Sequence, residues 1–246
     1  MHTDISVVIP AFNSGKSLEK LYMRLTAALE KRCSSFEIIF VDDGSHDDSY
    51  DQVCRLHEND GRVKVVRLQK NFGQQNAIMC GMRYAKGDYV ITMDDDLQNP
   101  PEEIEKLLLK LKEGFDVVYG IPIQKMHSAG RNLGAAARDK IFCMICRKPR
   151  DIKLSSFRVM HQRIVSRIIQ DKTSFVYISA IILKSTTNIG NVFVEHHPRA
   201  YGSSNYRFVR LVQLMLKILI NYSRLGTFLI VTSRPQYEVR DVKMSD

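Results

Sequence analysis

Residues 89–98 read Tyr-Val-Ile-Thr-Met-Asp-Asp-Asp-Leu-Gln. The run Tyr89–Met93 has the apolar, β-branched character of a strand covered on both faces, as in a parallel sheet. It stops in three consecutive carboxylates. Their mutual repulsion makes such a cluster costly unless something cationic sits among them. A hard divalent ion, Mg²⁺ or Mn²⁺, prefers carboxylate and water oxygens and bridges to substrate phosphates. Alternate side chains of an extended segment share a side, so Asp94 and Asp96 face one ion, Gln98 continues the alternation, and Asp95 points elsewhere. The rival reading is a solvated acidic turn. The apolar strand directly before the cluster favours the cation.

The same grammar repeats outward. Ile5–Ile9 is a short apolar run ended by Pro10-Ala-Phe-Asn-Ser-Gly15, and apolar residues from Leu18 to Leu29 then recur at helical spacing, with Ser17 as the expected N-cap. Glu37–Val41 stops at Asp42-Asp-Gly-Ser45, and Ser49–His57 reads as a helix. Val63–Leu68 leads into Asn71-Phe-Gly73 and a helix near Gln75–Ala85. Pro100-Pro101 opens a further helix, and Val117–Tyr119 is a fifth strand. Alternating strands and helices predict an α/β fold, an open, mainly parallel, twisted Rossmann-like sheet flanked by helices. Ligands of such sheets bind beyond the carboxyl ends of the strands. The informative loops are therefore Pro10–Asn13, Asp42–Ser45 and Asp94–Asp96. Asp43 can accept from a base N–H or a ribose hydroxyl, Gly44 permits a tight turn, and Phe12 can stack on a base. Neither GxGxxG nor GxxxxGK[ST] occurs, which disfavours a dinucleotide fold and a P-loop enzyme.

Beyond residue 120 the pattern is less regular. It predicts a basic helix over Arg131–Cys146, a loop or short strand at Ser155–Arg158, a helix around Gln162–Gln170 and a strand at Val192–His196. A loop at Arg199–Tyr206 and an amphipathic C-terminal helix follow. The chain has 246 residues, 44% hydrophobic and 26% charged, which excludes a disordered tail and a polytopic membrane protein. The formal net charge of +9 is unevenly spread: residues 1–119 hold 15 Lys and Arg against 20 Asp and Glu, residues 120–246 hold 21 against 7. A basic surface attracts phosphates, nucleic acid or anionic headgroups. Met1-His-Thr-Asp4 lacks a basic leader region, so no signal peptide is expected. The five cysteines, odd in number and irregularly spaced, suit a reducing compartment, and Cys143-Met-Ile-Cys146 reads as core.

Together these motifs resemble a family. Val8-Ile-Pro-Ala-Phe-Asn13, Val41-Asp-Asp-Gly-Ser45, Asn71-Phe-Gly73 with Ala77 and Gly81, Ala85-Lys-Gly-Asp88 and Met93-Asp-Asp-Asp-Leu-Gln-Asn-Pro-Pro-Glu102 resemble family 2 glycosyltransferases of the GT-A fold. The similarity is greatest to polyprenyl-phosphate glycosyltransferases, the group that includes dolichol-phosphate mannose synthase. Asp151 with Ser155-Ser-Phe-Arg158, and Arg199-Ala-Tyr-Gly-Ser-Ser-Asn-Tyr206, also match. The resemblance implies that Pro10, Phe12 and Asp43 hold base and ribose, and that Asp94, Asp96 and Gln98 ligate the metal. It places Asp95, Arg131 and Ser204 toward the donor, Arg199 at the diphosphate or acceptor phosphate, and Asp151 near the acceptor. Four features depart from the pattern: Ser14 stands where the family often has an acid, Asp95 where it usually has a small residue, Gly120–Lys125 lacks the arginine common after the fifth strand, so that Lys125 or Arg131 must serve, and Ser203-Ser-Asn-Tyr206 replaces the common Gly-Ser-Lys-Tyr.

The resulting expectation is an inverting, metal-dependent transfer from a UDP- or GDP-sugar to a polyprenyl (undecaprenyl) phosphate. The main alternative is transfer to a sugar hydroxyl in glycan or polysaccharide synthesis, with Asp151 as base. A sugar nucleotidyltransferase and a basic nucleic-acid-binding module are the other readings, and neither has its motif, so nucleic acid is not an expected partner. The expected organisation is a catalytic domain over 1–206, with a nucleotide-sugar half (1–119) and an acceptor half (120–206). An amphipathic segment (207–232) and a polar tail (233–246) follow. Phe208–Val231 is broken by Arg210, Lys217 and Arg224, too often for a spanning helix. It suits either packing, on the domain or in a homo-oligomer, or an interfacial helix on the inner face of the cell membrane.

Overall fold

The computed structural model describes residues 3–123, 143, 146, 148–173, 175–198, 208–222 and 237–244. Strands β1 (Ile5–Ala11), β2 (Phe36–Asp42), β3 (Val63–Leu68) and β4 (Tyr89–Thr92) form a parallel core in the order β3-β2-β1-β4. Their connections are α1 (Gly15–Glu30), α2 (Ser49–Asn59) and α3 (Gln74–Tyr84). A 3₁₀ turn at Pro101–Glu103 and α4 (Ile104–Leu111) lead to β5 (Val117–Pro122). Then come β6 (Arg158–His161), α5 (Gln162–Ile168), α6 (Ile178–Ser185), β7 (Ile189–Val194), α7 (Phe208–Tyr222) and β8 (Val239–Lys243). The sheet order is β7-β5-β6-β4-β1-β2-β3-β8, with β6 and β8 antiparallel to their neighbours.

Burial explains the apolar runs. All of β1 and β2 is buried, because helices cover both faces. Val7, Ile9, Ile38 and Phe40 meet Leu18, Leu21, Leu25 and Leu29 of α1 on one face; Val8, Ile39 and Val41 meet Ala77, Ile78 and Ile181 on the other. A Cβ at Gly81 would lie 2.4 Å from Val8 Cγ1, so α3 reaches the sheet closely only because that residue is glycine. The buried Glu37 on β2 is held by the Lys64 ammonium, the Ser6 hydroxyl (2.6 Å) and the Lys86 N–H (2.7 Å). A buried charge needs that many partners.

Several expectations change. The N-cap of α1 is Ser14, and Ser17 lies inside the helix with its hydroxyl donating to the Ser14 carbonyl (2.9 Å). The helix end is served from the neighbouring loop instead, where Asp47 accepts from the Gly15 N–H (3.3 Å). Helix α6 is additional. Strand β6 enters between β4 and β5, so residues on both sides of position 120 share one sheet. The polar tail is also not a tail: Val239–Lys243 extends the sheet beyond β3. Its alternation is too short and too charged to read as a strand without a partner edge. The expected basic helix over Arg131–Cys146 lies outside the described residues apart from Cys143 and Cys146. All five cysteines are free. Among the described residues, no helix is long and apolar enough to cross a membrane.

Leu21 has no solvent exposure, lies on the α1 face of the core and is not among the residues that line the cleft beyond the strand ends. Leu21→Ala is expected to lower unfolding free energy by about 2–5 kcal/mol in a urea titration. A loss below about 1 kcal/mol would contradict this packing.

Candidate functional site

Beyond the carboxyl ends of β1, β2 and β4 lies a cleft of about 650 Å³, a size that suits a small-molecule ligand. Pro10, Phe12, Asp43, Asn71, Gln74 and Asp94–Asp96 are among its lining residues. The three loops singled out by sequence thus open onto one space. Asn13 (φ 53°) and Leu97 (φ 60°) adopt left-handed backbone in two of these loops. For a buried leucine that conformation costs on the order of 1–3 kcal/mol, and such strain gathers where a loop is shaped for a ligand.

At the acidic end, Asp94 accepts from the Gln74 amide (2.5 Å) and the Ser156 hydroxyl (2.6 Å). Asp96 accepts from the Gln98 backbone N–H (3.2 Å). Asp95 accepts from the Ser14 hydroxyl. Burial pushes the Asp95 carboxyl up to about 6; the charges of Asp94 and Asp96 add to the rise, and the Ser14 hydroxyl opposes it. Two of the departures from the family pattern, Ser14 and Asp95, therefore meet each other. Among the described residues, no three His, Cys, Asp or Glu side chains could hold a metal ion by themselves. The donor set fits an ion that takes one or two carboxylates and completes its shell with phosphate oxygens and water, as Mg²⁺ does.

At the other end, Asp43 is almost fully buried. Its carboxylate accepts from the Phe72 N–H (2.7 Å) and the Gly73 N–H (2.8 Å), which fixes the loop after β3. Burial raises its pKa, and the Asp42 charge adds to that, while the two N–H groups oppose it. Each carboxylate oxygen has a second lone pair, so Asp43 keeps acceptor capacity toward a ligand. Gly44 sits at φ +72°, and a Cβ there would lie 2.6 Å from the Lys70 carbonyl carbon. Only glycine lets the two loops approach so closely. Phe12 is 41% exposed with its ring edge-on to His46 at 6.4 Å, and so presents an aromatic surface at the cleft.

The structure thus brings together Pro10, Phe12, Asp43, Asp94, Asp95 and Asp96. It does not bring Gln98: among the described residues lining the cleft Gln98 is absent, and its side-chain amide donates to the His197 carbonyl (3.3 Å). The His197 N–H in turn donates to the Gln98 carbonyl (2.9 Å), so the two residues are joined by a pair of hydrogen bonds. Asp151 lies on an exposed turn before β6 and is not among the described lining residues. Arg131, Arg199 and Ser204 lie outside the described residues. Sequence reasoning missed Gln74 and Ser156, which hold Asp94. Neither has a local signal, since they come from residues 20 and 62 positions away.

The model of the family described as Glycosyl transferase family 2 matches residues 6–169, more than half of the chain. The undecaprenyl-phosphate 4-deoxy-4-formamido-L-arabinose transferase of Salmonella dublin is 34% identical over 223 residues, covering 87% of this chain and 66% of that protein. The protein of the same name from Pseudomonas syringae pv. syringae is 34% identical over 220 residues, covering 87% and 64%. The chain therefore spans slightly less than two thirds of the length of these relatives. Among solved structures, glucosyl-3-phosphoglycerate synthase from Mycobacterium tuberculosis in complex with Mn²⁺ and UDP-glucose superposes with a TM-score of 0.63 at 17% identity, covering 99% of this chain and 88% of that one. The same enzyme with Mn²⁺, UDP and glucosyl-3-phosphoglycerate gives 0.60 at 18%, covering 89% and 78%. The fold is that of GT-A glycosyltransferases, and the chain belongs to glycosyl transferase family 2.

Proposed function

We propose that this chain transfers a sugar, with inversion, from a UDP- or GDP-sugar to a polyprenyl phosphate, with a divalent cation at Asp94 and Asp96. One observation carries the reading: the acidic strand end and the Phe12–Asp43 surface open onto the same cleft. Family membership and the relatives named for undecaprenyl phosphate support it.

In this reading Phe12 stacks on the base, and Asp43 accepts from base or ribose while its clasp on Phe72 and Gly73 keeps the pocket floor in place. Asp94 is oriented by Gln74 and Ser156, and Asp96 by the Gln98 N–H. When bound, the cation neutralises the diphosphate charge that develops as the sugar leaves. Arg199, with Arg131 and Ser204, adds positive charge and hydrogen bonds to the same phosphates. A phosphate acceptor is already anionic, so no strong base is needed, and Asp151 positions the acceptor. Asp95, sequestered by Ser14, shapes the donor loop. The reaction takes place at the inner face of the membrane. Lys217 and the exposed Leu216, Leu219 and Ile220 of α7 face headgroups and acyl chains, while Ile218 and Tyr222 are buried against the domain.

Incubation with a panel of UDP- and GDP-sugars and undecaprenyl phosphate, read by product mass, is expected to show one glycosyl-phosphate lipid in Mn²⁺ and none in EDTA. Full turnover in EDTA would overturn the cation. Asp96→Ala removes a carboxylate worth several kcal/mol of charge stabilisation, so turnover should fall on the order of 10²-fold or more. Asp43→Ala leaves two backbone donors unpaired and removes an acceptor for the base. Nucleoside diphosphate affinity, measured calorimetrically, should weaken by about 1–3 kcal/mol; unchanged affinity would remove Asp43 from the site. The protein should float with liposomes containing anionic lipid at low salt and less so at high salt. Failure to float at low salt would argue against the interfacial helix.

A further inference from the structure

Strand β8 lies at the outer edge of the sheet and holds none of the residues that line the cleft. Its contacts nevertheless lead back to the cleft by two routes. The first is backbone. Past the irregularity between Arg67 and Leu68, the Gln69 N–H donates to the Glu238 carbonyl (2.9 Å). Gln69 opens the short segment that carries Asn71, Phe72 and Gly73. Two of these bind the Asp43 carboxylate, and Asn71 and Gly73 line the cleft.

The second route is a row of side chains. Asp241 of β8 accepts from the Tyr50 hydroxyl on α2. The Arg67 guanidinium stacks over the Tyr50 ring at 4.1 Å, and its Nε lies 3.2 Å from Asp42 Oδ2. Asp42 has no solvent exposure, and its other oxygen accepts from the Ser45 N–H (3.2 Å), which closes the turn carrying Asp43 and Gly44. A buried carboxylate depends on its counter-charge, and here that arginine is itself placed by an aromatic face. The hydrogen bond from Tyr50 to Asp241 fixes the orientation of that face.

We propose that β8 positions the nucleotide seat, with Arg67 and Tyr50 as positioning residues anchored from outside by Asp241. This rests on the reading of the cleft as a nucleoside diphosphate site. The rival role is edge protection alone, in which β8 only covers the open hydrogen-bonding groups of β3.

The test uses the full chain and titrates UDP and GDP with Mn²⁺ by calorimetry, alongside unfolding temperature and amide exchange. Tyr50→Phe keeps the ring and removes the hydroxyl, and Asp241→Asn weakens the acceptor. Each should lower affinity by roughly threefold to tenfold, the worth of one hydrogen bond. Arg67→Met should lower it at least as much. Exchange of the Phe72 and Gly73 amides should quicken in all three. Donor KM should rise while kcat at saturating donor stays near wild type. Val242→Ala is the control: it trims the outer edge and should lower unfolding temperature without changing affinity. The proposal falls if the three variants bind as wild type does, or if affinity loss follows unfolding temperature across all four. Wild-type protein that binds neither nucleotide would overturn the nucleotide reading, and this proposal with it. Weak binding by the variants alone leaves that reading standing.

Discussion

Four parallel strands that end on one edge bring Asp43 and Asp94–Asp96 around a single cleft, with Asp42 buried beside Asp43. Holding so much negative charge in partly buried positions is the constraint on which the rest of the structure depends. The chain meets it in three different ways. Asp42 has the Arg67 guanidinium, Asp43 has two backbone N–H groups, and the triplet has hydroxyl and amide donors from Ser14, Gln74 and Ser156. The Arg67 guanidinium counters the Asp42 charge, although Asp42 Oδ2 makes no hydrogen bond among the described residues. Ser14, Gln74 and Ser156, like the two N–H groups on Asp43, are neutral donors, which orient a carboxylate without themselves cancelling its charge.

The meeting of Ser14 and Asp95 follows the same logic. A fourth acid in the first loop, facing three on the fourth strand, would add like charge at close range. A hydroxyl there instead donates to Asp95 and lowers the cost of the extra carboxylate. These two departures are explained together by one hydrogen bond, and apart from each other they have no evident reason.

The uneven charge along the chain also takes a different form in space. The acidic first half supplies the cleft loops, but the second half is not a separate unit beside it. Strand β6 enters between β4 and β5, Ser156 reaches Asp94, and β8 reaches around to β3. Residues distant in sequence support both ends of the site, so the acidic cleft and its supports form one sheet with one core on each face.

The parallel core, its helices and the three cleft loops were legible because each rests on local order: apolar runs of strand length, helical periodicity, and acids or glycine where a strand must stop. Pro10, Phe12, Asp43 and Asp94–Asp96 were legible for the same reason. Sequence could not show that Gln98 turns to His197, that Asp43 clasps the loop after β3, or that Gln74 and Ser156 hold Asp94. Nor could it show that Val239–Lys243 is a strand. Each of these depends on a partner brought near by topology, and an isolated stretch of chain carries no trace of the edge or the donor it will meet. The sequence by itself determined which strands form and where the acids fall. Tertiary structure alone decided what holds each of those acids in place, because that depends on the donors packed against each carboxylate.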